Sequence, residues 1–185
     1  MRSTLPELAG ELSVNERTLR RAVLRGTVRC HRPGPRKLVP ADGELAYLRE
    51  HWPTLDALSR ALRTEPGVRL AVLYGSVARG DSHPGSDVDL LVDLREDTGR
   101  GALGLMDRLE RRLGRPVDIA RLPRVRETSP LLLLRALEDG RVLVDRDGSW
   151  PALLAERDAV AAAAKRAGEA EARAASASVA ALLEQ

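Results

Sequence analysis

The sequence predicts an α+β protein, in which a mixed sheet with flanking helices follows a small helix-turn-helix unit. Three observations carry that prediction. Before residue 65, apolar residues recur at three- and four-residue steps; from Val68 onward, short Val- and Leu-rich runs alternate with an amphipathic stretch; and Pro-Gly pairs at Pro33-Gly34 and Pro66-Gly67 punctuate the changes. The expected organisation is residues 1–41 as a winged helix-turn-helix, 42–66 as a helical connector, 67–148 as the strand-and-helix domain and 149–185 as a C-terminal helix.

The opening helix is marked by Leu5, Leu8, Ala9 and Leu12, with Thr4 and Pro6 as its start signal. After a break at Ser13-Val14, Ser13 and Glu16 have the spacing of a capping box, and the helix they open runs to about Arg25 before Gly26 stops it. Leu19, Ala22 and Val23 share one side of it, with Arg17, Arg20, Arg21 and Arg25 beside them. Strands at Val28–Cys30 and Lys37–Val39, joined through Arg32-Pro33-Gly34-Pro35, would add a basic wing. These parts predict DNA binding through the four helix arginines; the alternative is a helical hairpin with a solvated arginine face.

From Asp42 to about Thr64 the pattern predicts a helical connection interrupted before Pro53. Strands are expected at Val68–Tyr74, Val88–Leu94, Val117–Ala120 and Val142–Val144, with helices over Leu103–Leu113 and about Leu131–Glu138. The alanine-rich tail reads as a helix that either docks through Leu153, Leu154, Val160, Val179, Leu182 and Leu183 or stays in solvent.

Composition narrows the function classes. The chain of 185 residues can bury a core unaided, and its lone cysteine, Cys30, has no partner in the chain, which points to a reduced, cytoplasmic protein. No apolar run approaches the ~20 residues that span a bilayer, so no membrane partner is expected. The net charge is +3 and the isoelectric point about 9.6, with Lys37 and Lys165 the only lysines. That balance admits a nucleic-acid partner without requiring one.

The chemistry concentrates between Val72 and Val92. A strand leads into Gly75-Ser76, where a short helix starts; glycine admits close backbone approach, serine adds a hydroxyl, and the helix start turns N–H groups toward an anion. Ten residues on, Asp87 and Asp89 begin a second strand, and period-two alternation points both carboxylates to one face. Adjacent carboxylates repel unless a cation holds them, and Mg²⁺ prefers oxygen ligands that it shares with phosphates. Asp118, in a third strand, completes a three-acid cluster if that strand lies beside the Asp87/Asp89 strand. His31 and His51 have no metal-ligand spacing with other candidates; His83, in a Ser-His-Pro-Gly-Ser loop, reads as a solvated histidine with substrate contact as its alternative, and Tyr74 as core packing at a strand end with packing on a base as its alternative.

Gly75-Ser76, Arg79-Gly80, Ser86, Asp87-Val88-Asp89 and the later Asp118 together resemble the minimal nucleotidyltransferases of the DNA polymerase beta superfamily, over about Val68 to Asp145. The resemblance implies transfer of a nucleoside monophosphate from ATP or another NTP, with two Mg²⁺ ions and pyrophosphate leaving. It also implies that Gly75, Ser76, Arg79 and Ser86 contact the nucleotide, that Asp87 and Asp89 ligate the metals, and that Asp118 joins them or acts as base. The chain departs from many relatives at Val77, where they carry an arginine; Arg79 is the nearest substitute, with a surface ion pair to Asp81 as its alternative role. Members of this size resemble antitoxins that nucleotidylate a partner toxin, and related domains modify aminoglycosides. Two other functions compete. One is a transcription regulator that uses the fold as a nucleotide sensor. The other is a nucleic-acid-end polymerase, disfavoured because two Trp, two Tyr and no Phe leave few stacking platforms.

Overall fold

The computed structural model describes residues 4–34, 37–83 and 85–183; the turn residue Pro35 and the expected docking side chains Val179, Leu182 and Leu183 lie outside the described residues and side chains. The chain opens with α1 (Leu5–Glu11) and α2 (Glu16–Arg25), then an antiparallel hairpin of β1 (Cys30–Gly34) and β2 (Lys37–Pro40). The capping box falls on the first helix rather than the second: Glu7 accepts a hydrogen bond from the Thr4 N–H at 2.7 Å. Ser13 instead takes a left-handed conformation (φ 53°) in the turn, and Asn15 caps α2 by accepting from the Arg17 N–H at 2.8 Å. Two capping residues two positions apart competed for one helix start, and the asparagine took it. Gly26 ends α2 in the left-handed conformation, as expected.

Helix α3 (Glu44–Arg63) runs unbroken through Pro53, where an interruption was expected. The missing N–H and the ring clash cost about 3 kcal/mol. Against that stand Leu48, Leu55, Leu58 and Leu62, each 1% exposed or less, and burying each stabilises by roughly 1.5–3 kcal/mol. Pro53 points to solvent, so packing on the opposite face decides the outcome.

Beyond α3 come β3 (Val68–Tyr74), α4 (Gly75–Arg79), β4 (Val88–Leu94), α5 (Gly99–Leu113), β5 (Val117–Arg121), α6 (Leu122–Thr128), α7 (Pro130–Asp139), β6 (Arg141–Asp145), α8 (Trp150–Ala155) and α9 (Arg157–Leu183). These four strands match the expected ones to within a residue, whereas β1 starts two residues later than the expected Val28–Cys30 and runs on to Gly34. Helix α5 starts four residues early, because the Thr98 hydroxyl accepts from the Gly101 N–H and caps it there. Helices α6 and α8 were not anticipated; both are short and open with Pro in their first turn.

The four strands form one mixed sheet in the order β5-β4-β3-β6, with β3 antiparallel to both neighbours and β4 parallel to β5. Side-chain alternation splits its apolar residues between two cores. Val88, Leu90, Val92 and Leu73 face α3, α5 and the N-terminal helices; Leu70, Val72, Tyr74 and Leu91 face α6, α7 and α8. No helix among the described residues is long and apolar enough to cross a membrane.

The N-terminal helices share the first core, and backbone hydrogen bonds extend the join. The Val142 N–H donates to the Gly26 carbonyl at 3.2 Å, and the Thr27 hydroxyl donates to the Val142 carbonyl. Beside them Arg141, 2% exposed, pairs bidentately with the equally buried Glu44 at 2.6 and 3.0 Å. Two further donors reach the Ala78 carbonyl (2.8 Å) and the Thr27 carbonyl (3.2 Å), and its guanidinium stacks 3.5 Å from the centre of the Tyr47 ring. Removing one partner of a buried pair strands the other charge, at a cost of about 3–5 kcal/mol. We therefore expect Glu44→Ala to lower unfolding stability by about that amount in urea titrations, and Glu44→Met combined with Arg141→Met to recover a substantial part of the loss.

Candidate active site

Three residues stand abreast across the sheet. Tyr74 on β3 is the register partner of Asp89 on β4, which is the register partner of Asp118 on β5. Residues opposite each other on neighbouring strands project from the same face, so the phenol and the two carboxylates line one surface. Asp87 lies two residues before Asp89, just outside the strand, and is exposed. Burial, then Asp118, then Asp87 raise the Asp89 carboxyl above its ordinary range, with Arg79 acting weakly the other way. Tyr74 is pushed up to about 12 by burial and by the charges of Asp89 and Asp118. Asp89 therefore senses the other two acids, although among the described residues no three His, Cys, Asp or Glu side chains converge closely enough to hold a metal ion.

Gly75 follows Tyr74 and opens α4. Its φ is +74°, and a Cβ there would sit 2.2 Å from Asp89 Oδ2 and 3.0 Å from Asp89 Cγ. Both conformation and contact restrict the position to glycine, whose backbone reaches directly against the carboxylate. Ser76 is half-buried in the first turn of α4. Two side chains from beneath hold that helix: the Tyr47 hydroxyl donates to the Val77 carbonyl at 3.1 Å and Arg141 to that of Ala78. Val77 itself is 1% exposed and fills the core.

The remaining sequence candidates are engaged elsewhere. Arg79 pairs with Asp81 at 3.1 Å and with Asp139 of α7 at 3.1 Å, two bonds that raise its proton affinity further. The Ser86 hydroxyl accepts from the His83 N–H at 2.9 Å and its carbonyl from Arg115, so the residue fastens the loop ahead of Asp87. Among the N-terminal arginines, Arg20 pairs with Glu16 at 2.7 Å, and Arg25 is turned inward beside Thr27, where burial pulls it down to about 10; Arg17 and Arg21 are exposed. Cys30 is raised to about 11 by burial and the Glu44 charge, consistent with an inert thiol.

The acidic row opens on a cleft of about 650 Å³. Tyr74, Asp89, Asp118 and Ile119 form its sheet side; Thr128 at the end of α6, Ser129, and Pro130 to Leu132 with Arg135 of α7 line it from one helical side, and Ala164, Ala167, Gly168 and Glu171 of α9 from another. The sequence singled out none of the residues from α7 and α9. They sit on regular helices with no local motif, and Arg135 is one arginine among many. A second cavity, about 300 Å³, lies at the opposite end of the sheet around Gly67, Arg95 and Leu105, away from the acids.

A strand, a glycine-opened helix, a strand bearing the acid pair and a parallel strand with the third acid coincide with the segment matched by the family described as Polymerase beta, Nucleotidyltransferase, which covers residues 56–149. The chain belongs to the polymerase beta nucleotidyltransferase family. Solved structures share the fold of this family member. One, a toxin–antitoxin crystallised with AMP-PNP, superposes with a TM-score of 0.51 at 21% identity over 68% of this chain and 97% of that chain. A mutant of the toxin–antitoxin MntA-HpeT gives 0.52 at 20% identity over 68% and 97%. A second MntA-HpeT mutant gives 0.50 at 22% over 67% and 95%. Comparison with curated proteins yields no significant match.

Two outcomes follow from the electrostatics and the glycine of this nucleotidyltransferase-family site. Because the Asp89 carboxyl is raised, ionising it opposes folding, and the stability it contributes in acid is lost as pH rises through its folded value. Asp89→Asn should then raise the melting temperature at neutral pH without divalent cations, the difference closing on acidification. Gly75→Ala should lower stability by about 1–3 kcal/mol, measurable in the same melts.

Proposed function

We propose that this protein transfers a nucleoside monophosphate from ATP to an acceptor hydroxyl, with Asp87, Asp89 and Asp118 as the metal-dependent catalytic centre. The observation that carries the reading is the register pairing of Asp89 with Asp118 on adjacent parallel strands, beside the Gly75 backbone. Family membership supports nucleotidyl transfer as the reaction class. The relative crystallised with AMP-PNP favours ATP as donor.

The donor set suits a hard divalent cation. Asp89 and Asp118 share one cleft with Asp87 two residues ahead of Asp89, and a hard divalent cation would offset the burial and like charge that raise the Asp89 carboxyl. Asp87 and Asp89 are the residues to hold it, and when bound it would neutralise charge on the phosphates. The chain supplies the rest. Gly75 and Ser76 bring backbone N–H groups and a hydroxyl against the phosphates, and Asp118 accepts the proton as the acceptor oxygen forms its bond to the α-phosphorus. The bond to the β-phosphate oxygen breaks and pyrophosphate departs. All three acids are present, which argues against a sensor without turnover.

The acceptor we assign is a protein, a partner toxin, because the relatives of like fold come from toxin–antitoxin complexes and the chain spans nearly their whole length. Incubation with α-labelled ATP, Mg²⁺ and the product of a neighbouring gene should label that product. Asp87→Ala with Asp89→Ala should cut the rate by about 100-fold or more, and chelation should abolish it; transfer that survives the double substitution rules the site out.

DNA binding by the N-terminal unit is a separate part of the proposal, supported by the exposure of Arg17 and Arg21 on α2, which the β1–β2 hairpin follows in the chain. Arg17→Ala with Arg21→Ala should weaken salt-dependent retention of the protein's own promoter fragment, read by filter binding, and flatten its salt slope by about 2. Unchanged retention would remove this part and leave the transferase reading intact.

A further inference from the structure

The cleft beside the acids leaves one charge without a role. Arg135 is exposed on α7, lines the cleft with Asp89 and Asp118, and among the described residues neither a hydrogen bond nor an ion pair engages its guanidinium. It is also the cleft's single cation among those residues, facing the carboxylates of Asp89, Asp118 and Glu171. Glu171 lies across on α9, yet no ion pair joins the two.

An NTP entering this space brings about four negative charges to a surface that is already acidic. Cations on the sheet side would answer part of that charge; the helix side needs its own. Arg79, the cation expected from the motif, is held by Asp81 and Asp139 and does not line the cleft. Arg135 is placed to do so. Leu131 and Arg135 are four residues apart on one helix and share a face, and the opposing wall is lowered by Ala164, Ala167 and Gly168, so the guanidinium has room for a phosphate. The volume, about 650 Å³, lies within the roughly 300–1,000 Å³ of small-molecule sites.

We infer that Arg135 binds the β- and γ-phosphates of the nucleotide, the portion that leaves as pyrophosphate, in place of the motif arginine. The inference rests on the transferase reading above. A planar guanidinium can clamp phosphate oxygens bidentately, whereas an ammonium at the same place offers only a point charge. Arg135 is then a substrate-binding residue that discriminates triphosphate from monophosphate.

The test is calorimetric titration of the full chain with AMP-PNP and, separately, AMP, both in Mg²⁺. Arg135→Ala should weaken AMP-PNP binding about 10- to 100-fold and leave AMP within about threefold; Arg135→Lys should fall between. In turnover, Arg135→Ala should raise KM for ATP in step with the lost affinity. Its melting temperature should match the wild type, since the side chain is exposed and unpartnered. If Arg135→Ala binds AMP-PNP as the wild type does, or loses AMP and AMP-PNP equally, the assignment is wrong. If that happens while Asp89→Ala abolishes transfer, the transferase reading stands without it. A wild type that binds neither nucleotide overturns both.

Discussion

The buried pairing of Arg141 with Glu44 is the interaction on which the rest of the arrangement leans. Arg141 stands at the start of the sheet's edge strand and Glu44 at the start of the long connecting helix, so the pair closes a loop of nearly a hundred residues. It does more than join two elements. The same guanidinium takes a carbonyl from the end of α2, another from the end of α4, and the face of Tyr47. With four of its N–H donors answered and its face stacked on Tyr47, a charge that would otherwise be costly in a dry interior becomes a geometric constraint. The residues preceding the family segment are thereby fastened to the short helix that carries Gly75 and Ser76.

The acidic row is arranged by a different force. Strand register brings Asp89 and Asp118 side by side, the first half-buried and the second exposed. The sheet thus holds the two carboxylates together, and the Asp89 carboxyl is raised first by its burial and then by the neighbouring charges. Gly75 keeps the opposing backbone in contact with the carboxylate, a closeness that no side chain would permit.

Much of this was legible in the sequence because it depends on local periodicity. The strands around Tyr74, Asp89 and Asp118 declare themselves by apolar runs and by two-residue alternation, and the motif around Gly75 by its spacing. What stayed hidden was competition and distance. Ser13 and Asn15 offered rival caps, and only turn geometry decides between them. Pro53 reads as a break unless the buried leucines around it can be weighed against the lost hydrogen bond. Arg79 and Ser86 match the motif in sequence, but their partners, Asp139 and His83, are set by tertiary packing and by a loop. The α7 and α9 sides of the cleft have no local signature, because ordinary helical residues acquire a role there through the site they face.

The family segment ends at residue 149, yet α9 starts at Arg157 and supplies Ala164, Ala167, Gly168 and Glu171 to the cleft. The site is therefore composite: its acids come from inside the shared domain and part of its enclosure from outside. Such a division separates two evolutionary pressures. Drift along one helical face can reshape what fits against the acids while the residues that carry the charge stay as they are, so that members with the same acidic row can diverge in what they admit.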